Sequence, residues 1–310
     1  MPESNRELDK QNRSEFSESL DQFNSEYSNT IAPLDLLQTL NIPVEIRITV
    51  IERITIFSMI DHGDIESLES FLNSPEVDLT VKDSIGETPL HAAVENNNYQ
   101  IVQLLLSHGA DINILDDYND TPLHIASAND FIPITQLLLE HEADTEIKEN
   151  RHGDTPLHLA SYNGNYQIVQ LLLEHGANAN SRDFEENTPL HQASINKHYS
   201  IVQLLLRYNA NVNFQNKDGA TPLICSLFNK SSIHIAQLLI SSGTNINSQD
   251  KNGETAIFIA IRFGLIEIVN LLLEKGADLN VRNKNGKTPL DYSIEYEQHE
   301  IEELLKQRIN

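Results

Sequence analysis

Residues 155–183 read TPLHLASYNGNYQIVQLLLEHGANANSRD, and residues 188–216 read TPLHQASINKHYSIVQLLLRYNANVNFQN. The second stretch restates the first after 33 residues. Catalytic motifs are seldom needed in duplicate, whereas a fixed period of about 20–50 residues marks structural units that stack on one another. The tetrad TPLH opens at Thr88, Thr121, Thr155 and Thr188, and weaker copies follow as TPLI from Thr221, TAIF from Thr255 and TPLD from Thr288. Counting back 33 residues from Thr88 reaches Thr55, in the worn copy TIFSMIDHGDIESLESFLNSPEVDL. Eight units are therefore expected over residues 55–310, starting near 55, 88, 121, 155, 188, 221, 255 and 288. Two of the intervals are 34, which places single-residue insertions near Asn150–His152 and near Ser231–Ser232.

The chemistry of one unit predicts two helices and a polar connection. Thr155 suits an N-cap, Pro156 fits the first helical position, and Leu157 points inward. His158 stands three residues after the cap, where its side chain can reach back as in a capping box. Ala160 is small enough to let helices approach. The polar break Asn163–Asn165, with Gly164, ends the first helix. Ile168, Val169, Leu171, Leu172 and Leu173 give the second a broad apolar face. Gly176 suits the left-handed residue that closes it, and ANANSRDFEENT forms a polar finger to the next unit. Neither helix can bury its apolar face alone, so neighbouring units must stack.

These residues resemble the ankyrin repeat, whose signature is a 33-residue unit with T-P-L-H-x-A. The resemblance is carried by TPLHAA, TPLHIA and TPLHLA, by IVQLLL from Ile101, Ile168 and Ile201, and by HGAD or HGAN at the unit's end. It implies an all-α solenoid of stacked helix-turn-helix units with hairpin-like fingers. It also implies a protein-binding side made of finger tips and the exposed face of each first helix. Carried onto this chain, those slots lie four, three and one residues before each Thr, and seven and eight after it. They hold Ile85, Tyr118, Arg151, Tyr162, Phe184, Ile195, Phe228, Phe263 and Tyr296 as candidate partner-binding residues. Aromatic anchors with a charged rim are the usual makings of a protein interface. The charged neighbours are Glu87, Glu95, Asp117, Asp120, Asp154 and Glu185, then Lys217, Asp218, Lys251, Arg262 and Lys287, an acidic rim that turns more basic towards the C-terminal half. Tyr99, Tyr166 and Tyr199 recur at the start of the second helix, where the family carries a half-buried residue, and are assigned to packing. Asn113, Asn180, Asn213, Asn247 and Asn280 hold the finger position that asparaginyl hydroxylases can modify in the family. Turn formation through their side chains is the simpler role.

The formal net charge is -25, of which nine acids and three bases in residues 1–45 contribute -6. Such a field disfavours nucleic acid, whose binding depends on neutralising phosphates, and fits a partner protein with a basic surface. Cys225 is the single cysteine, so no intrachain disulfide forms and a reducing compartment fits. No run of 18 apolar residues suggests a membrane span, and MPESNRELDKQNRSEF has no apolar core for a secretory signal. A monomer in the cytoplasm is expected, with the nucleus or a host cytosol left open.

Residues 1–30 are polar and acidic with few apolar anchors and read as a disordered tail. Residues 31–54 read as a helical N-terminal cap, with a short helix around Leu34–Leu40 and a longer one over Val44–Ile60. Ile42-Pro43-Val44-Glu45-Ile46 resembles the Leu-Pro-x-Glu start of an F-box, which would make the segment an adaptor for a ubiquitin ligase. The first repeat begins too soon after it to leave room for that domain's helices. An exported effector acting on a host protein is a third expectation.

Histidines are plentiful, but His91, His124, His158 and His191 share one repeat position, which points to a structural role. His108, His141 and His175 fall where a second helix ends, a place that suits an imidazole. No CxxC pair, no His pair at i, i+4 with an acid, no glycine-rich phosphate loop and no nucleophile elbow occurs. No cofactor, metal or catalytic residue is expected. One unit stands out as soft: Glu142 occupies the left-handed corner that is Gly109, Gly176, Asn209, Gly243 and Gly276 elsewhere.

Overall fold

The computed structural model describes residues 44–74, 77–228 and 233–309, with side chains from residue 53 onwards. The tail, the helix around Leu34–Leu40, the F-box-like motif's first residues and the second insertion lie outside them. All the described regular structure is helical. The helices are α1 Val44–His62, α2 Ile65–Leu72, α3 Pro89–Glu95, α4 Tyr99–Ser107, α5 Pro122–Ala128, α6 Ile132–Glu140, α7 Pro156–Asn163 and α8 Tyr166–Glu174. They continue as α9 Pro189–Ile195, α10 Tyr199–Arg207, α11 Pro222–Leu227, α12 Ile233–Ser241, α13 Ala256–Arg262, α14 Ile266–Glu274, α15 Pro289–Glu295 and α16 His299–Ile309. Helix α1 runs through Thr55 without a break, so the cap and the first helix of the first unit are one element.

The described backbone groups into two compact units that divide between Ile125 and Ala126. In the first, α1 packs on α2 and α3, and α4 packs on α2 and α3. In the second, the first helices α7, α9, α11, α13 and α15 contact one another in sequence, and the second helices α6, α8, α10, α12, α14 and α16 form a parallel row. The core between the two rows is made of residues such as Leu190, Ala193, Ile201, Val202 and Leu205, each 1% exposed or less. Burying one such leucine stabilises by about 1.5–3 kcal/mol relative to exposure.

The conserved-looking tetrad is explained by its hydrogen bonds. Thr88, Thr155 and Thr188 are extended N-caps, and each forms a capping box with the histidine three residues on. The His191 Nδ1 accepts from Thr188 Oγ1 at 2.9 Å and from Thr188 N at 3.1 Å, while Nε2 faces the Ala220 carbonyl at 3.1 Å. His91 does the same between Thr88 and Asp120 O, and His158 between Thr155 and Asn187 O. A carbonyl only accepts, so Nε2 carries the proton and Nδ1 is left as the acceptor. The ring is thus a neutral strut from one helix cap to the next unit's finger. In TAIF, Phe258 takes the histidine's slot and is fully buried, and Thr255 makes no side-chain cap bond.

The fingers are tied in two further ways. The Asn180 side chain accepts from Asn211 N at 2.7 Å, Asn213 from Asn245 N at 2.7 Å, and Asn247 from Asp278 N at 3.0 Å. These asparagines therefore bridge to the next unit rather than close their own turn. At the tips, backbone N–H groups of Phe184, Lys217, Lys251 and Lys284 donate to the carbonyls of His152, Glu185, Asp218 and Asn252.

The corner residues are left-handed as their position predicts: φ is +62° at Glu142 and +60° at Asn209, beside +85° at Gly109 and +88° at Gly176. The first insertion is closed by Glu149. In ordinary fingers an Asp or Asn accepts from the amides two and four residues on, as Asp250 does from Asn252 and Glu254. Glu149 accepts from Arg151, His152 and Asp154, five residues on. One extra methylene spans one extra residue.

Candidate partner-binding surface

The slots singled out by the repeat are occupied unevenly. In the first unit, Tyr118 is 45% exposed at a finger turn, its N–H held by the Asp116 carboxylate, whereas Ile85 is half-buried. In the second unit Tyr162, Phe184, Ile195 and Phe228 are 53%, 49%, 42% and 51% exposed, and Tyr296 is 38%. Phe263 is only half-buried because its ring meets Phe228 edge to face, with centroids 6.2 Å apart. Phe184 is seated by Gly153: a Cβ there would lie 2.4 Å from Phe184 Cδ1, so the ring rests on bare backbone. Arg151 is exposed beside it, with Nε 3.5 Å from the Glu149 carboxylate.

The charged rim differs from the expectation. In the slot one before the Thr, Glu87, Asp120 and Asp154 are buried and do not face solvent, whereas Asn187 and Lys287 are half-buried there. Glu254, also buried in this slot, holds Arg262. The bases of the C-terminal half are already partnered: Lys217 by Glu185, Lys251 by Asp218, Arg262 by Glu254, and Lys287 by Glu295 at 2.6 Å. The rim there is neutralised rather than basic.

A polar cluster that sequence reasoning missed supports Tyr296. The Tyr292 hydroxyl donates to Glu254 at 2.8 Å and receives hydrogen bonds from Arg262. Burial pushes the Tyr292 phenol above its ordinary value, with further upward pressure from its bonds to Tyr296 and Glu254, so it stays protonated. Tyr292 also packs edge to face on Phe258, 5.2 Å between centroids, and tilted on Tyr296, 4.6 Å. The signal was the Tyr292 hydroxyl in a first-helix slot that holds Ala92, Ile125, Leu159, Gln192, Cys225 and Ile259 in other units. Tyr99, Tyr166 and Tyr199 are about two fifths exposed (39%, 38% and 40%), so each presents part of its ring to solvent at the half-buried start of a second helix.

His108, His141 and His175 bond through Nδ1 to the carbonyls of Leu104, Leu137 and Leu171, closing the ends of α4, α6 and α8. Burial pushes His91 and His191 down to about 4 and the Cys225 thiol up to about 12. These groups are therefore neutral near pH 7. Among the described residues, no three His, Cys, Asp or Glu side chains gather as metal ligands would. No described helix is long and apolar enough to cross a membrane.

The model of the family described as ankyrin repeats (3 copies) matches residues 56–149, 114–183, 145–216, 183–250 and 224–310. The chain belongs to the ankyrin-repeat family. It is similar to the crystal structure of the ankyrin repeat domain of Bcl-3, a member of the IkappaB protein family. That match has a TM-score of 0.61 and 31% identity, and covers 67% of this chain and 94% of that one. It is also similar to a putative ankyrin repeat protein of Rickettsia bellii, 37% identical over 65 residues, 18% of this chain and 39% of that protein. A third likeness is to the palmitoyltransferase AKR1 of Gibberella zeae, 44% identical over 48 residues, 16% of this chain. The chain spans 39% and 7% of those two proteins' lengths. Ankyrin repeats are generally protein–protein interaction modules, and the fold is typically non-catalytic.

Proposed function

We propose that this ankyrin-repeat chain is a non-catalytic binding module for a partner protein, engaged through the finger tips and the exposed ends of the first helices. The observation that carries the reading is the exposure of Tyr162, Phe184 and Phe228, each about half open to solvent in slots the fold does not need filled with aromatics. Large apolar rings at such positions are typical anchors, and a pre-organised array limits the ordering entropy lost on binding. In this reading residues 55–310 form the array and residues 31–54 cap it. The chain acts as a cytoplasmic monomer, and its ligand is neither nucleic acid nor membrane.

The test replaces Tyr118, Tyr162, Phe184 and Phe228 together with Ala. Quantitative affinity capture from cells should show partner proteins lost from the variant, each weakened by about 2–4 kcal/mol or more. Helicity and melting cooperativity should stay near wild type. If every partner is retained at full strength by the folded variant, the surface is elsewhere.

A further inference from the structure

Helix α10 is flanked on both sides by open grooves. One, about 550 Å³, is lined by Tyr166, Lys197, His198, Tyr199, Gln203 and Arg207. The other, about 680 Å³, shares Lys197 and Tyr199 and has His234, Gln237 and Leu238 on its far wall. Neither lining includes an Asp or Glu. Both grooves are built from the second helices and the turns before them. They are therefore distinct from the finger and first-helix surface described above.

Charge sets this place apart from the rest of the molecule. Residues 187–249 contain one acid, Asp218, against four bases, Lys197, Arg207, Lys217 and Lys230, in a chain with 46 acids and a net charge of -25. Asp218 lies against Lys251, and Lys217 against Glu185. Lys197 and Arg207 are exposed and form no ion pair among the described residues, unlike Lys217, Lys251, Arg262 and Lys287. Lys197 sits at φ +67°, in the left-handed turn slot that Gly164 and Gly264 fill in two other units and Asn97, Asp130 and Glu297 in three.

The groove walls add aromatic surface to the cations. Tyr166 and Tyr199 are two fifths exposed, and Gln203 donates to the Tyr199 hydroxyl at 3.3 Å. His198 is fixed by a 2.9 Å bond between Nε2 and the Tyr162 carbonyl, and its ring covers Gly164. The pattern is a pair of unneutralised cations about a tyrosine-faced trough, with amide side chains between them. We infer that the grooves flanking α10 are a second docking site, which takes an acidic segment of a partner protein. Its carboxylates would face Lys197 and Arg207, and an apolar side chain would lie against Tyr166 and Tyr199. The complementary charge steers the encounter, and salt screens it.

The experiment measures fluorescence anisotropy of a labelled peptide of glutamates interrupted by leucines, titrated with the full chain at low salt. Saturable binding that weakens as salt rises is expected. Lys197→Glu with Arg207→Glu, both on exposed side chains, should reduce affinity about tenfold or more, the size expected from reversing two screened charge contacts. Lys275→Glu with Lys284→Glu makes the same change in net charge away from the grooves and should leave binding intact. The proposal is overturned if the wild-type chain does not bind the peptide, or if the Lys197/Arg207 variant binds as well as wild type. It is equally overturned if the Lys275/Lys284 variant loses as much, or if a short RNA or inositol hexakisphosphate displaces the peptide and binds more tightly. None of these variants touches Tyr118, Tyr162, Phe184 or Phe228, so this result and that for the finger surface are read separately.

Discussion

The Nε2 of His191 donates to the carbonyl oxygen of Ala220 across 3.1 Å, while its Nδ1 accepts from Thr188. One imidazole thus satisfies a helix cap in one unit and a finger carbonyl in the next. A second proton would remove the acceptor at Nδ1. Burial, opposed in part by the bond to Ala220, holds the ring at about 4 rather than its ordinary 6.5.

His91 is placed and shifted in the same way. Because the folded value lies below the unfolded one, the unfolded chain takes up more protons between about pH 6.5 and 4. Stability from these rings is full above about pH 6.5 and is lost on acidification through that window. Urea unfolding as a function of pH should show this loss. His191→Leu should be less stable at pH 7 by about 1–3 kcal/mol, the cost of unpaired buried groups, yet should show a flatter acid dependence. An unchanged slope would remove His191 from the acid response.

Glu149 predicts a length-matched pair of changes. Glu149 is 2% exposed, and its carboxylate reaches three amides across a finger one residue longer than the others. Glu149→Asp should forfeit at least the Asp154 bond and cost about 1–2 kcal/mol. Deleting Asn150 in that background gives Asp-Arg-His-Gly-Asp-Thr, the pattern of Asp250–Thr255. The deletion should restore most of the loss in urea midpoint. If it destabilises further, the side-chain length is not what closes the insertion.

Glu142 makes the corner bonds that Gly176 makes. Its N–H donates to Leu139 O at 3.0 Å, and Ala143 N donates to Leu138 O at 3.1 Å. It does so at φ +62°, a conformation that strains a residue with a Cβ. Glu142→Gly should raise stability by about 1 kcal/mol. Amides of Leu137, Leu138 and Leu139 should exchange faster than those of Leu171, Leu172 and Leu173 in the parent and approach them in the variant. Equal protection in the parent would show that the strain is absorbed elsewhere.

Cys225 is buried in α11, and desolvation pushes its thiol up to about 12. It should react with a thiol reagent only as fast as the chain opens. Labelling should be slow in native buffer and quick in denaturant. Prompt reaction in native buffer would mean that the first helix of this unit opens on its own.

The repeat period, the capping threonines, the left-handed corners and the buried face of each second helix were legible in the sequence, because each is set by interactions within a few residues. Thr, Pro and His three apart specify a capped helix start wherever they recur. The aromatic slots were legible through the same register, and the exposure of Tyr162, Phe184 and Phe228 follows from it.

What only the tertiary structure decided lies between units. The sequence does not show that Glu87, Asp120 and Asp154 turn inward, that Lys217 and Lys251 are neutralised by the preceding finger, or that Asn213 bridges to Asn245. Nor does it show that Lys197 and Arg207 line one groove while standing ten positions apart. Local sequence determines the unit because helix caps and turns close over three to five residues. Burial and charge pairing depend on which side chains the stacking brings together from about 33 residues away, and that is settled only when the units pack.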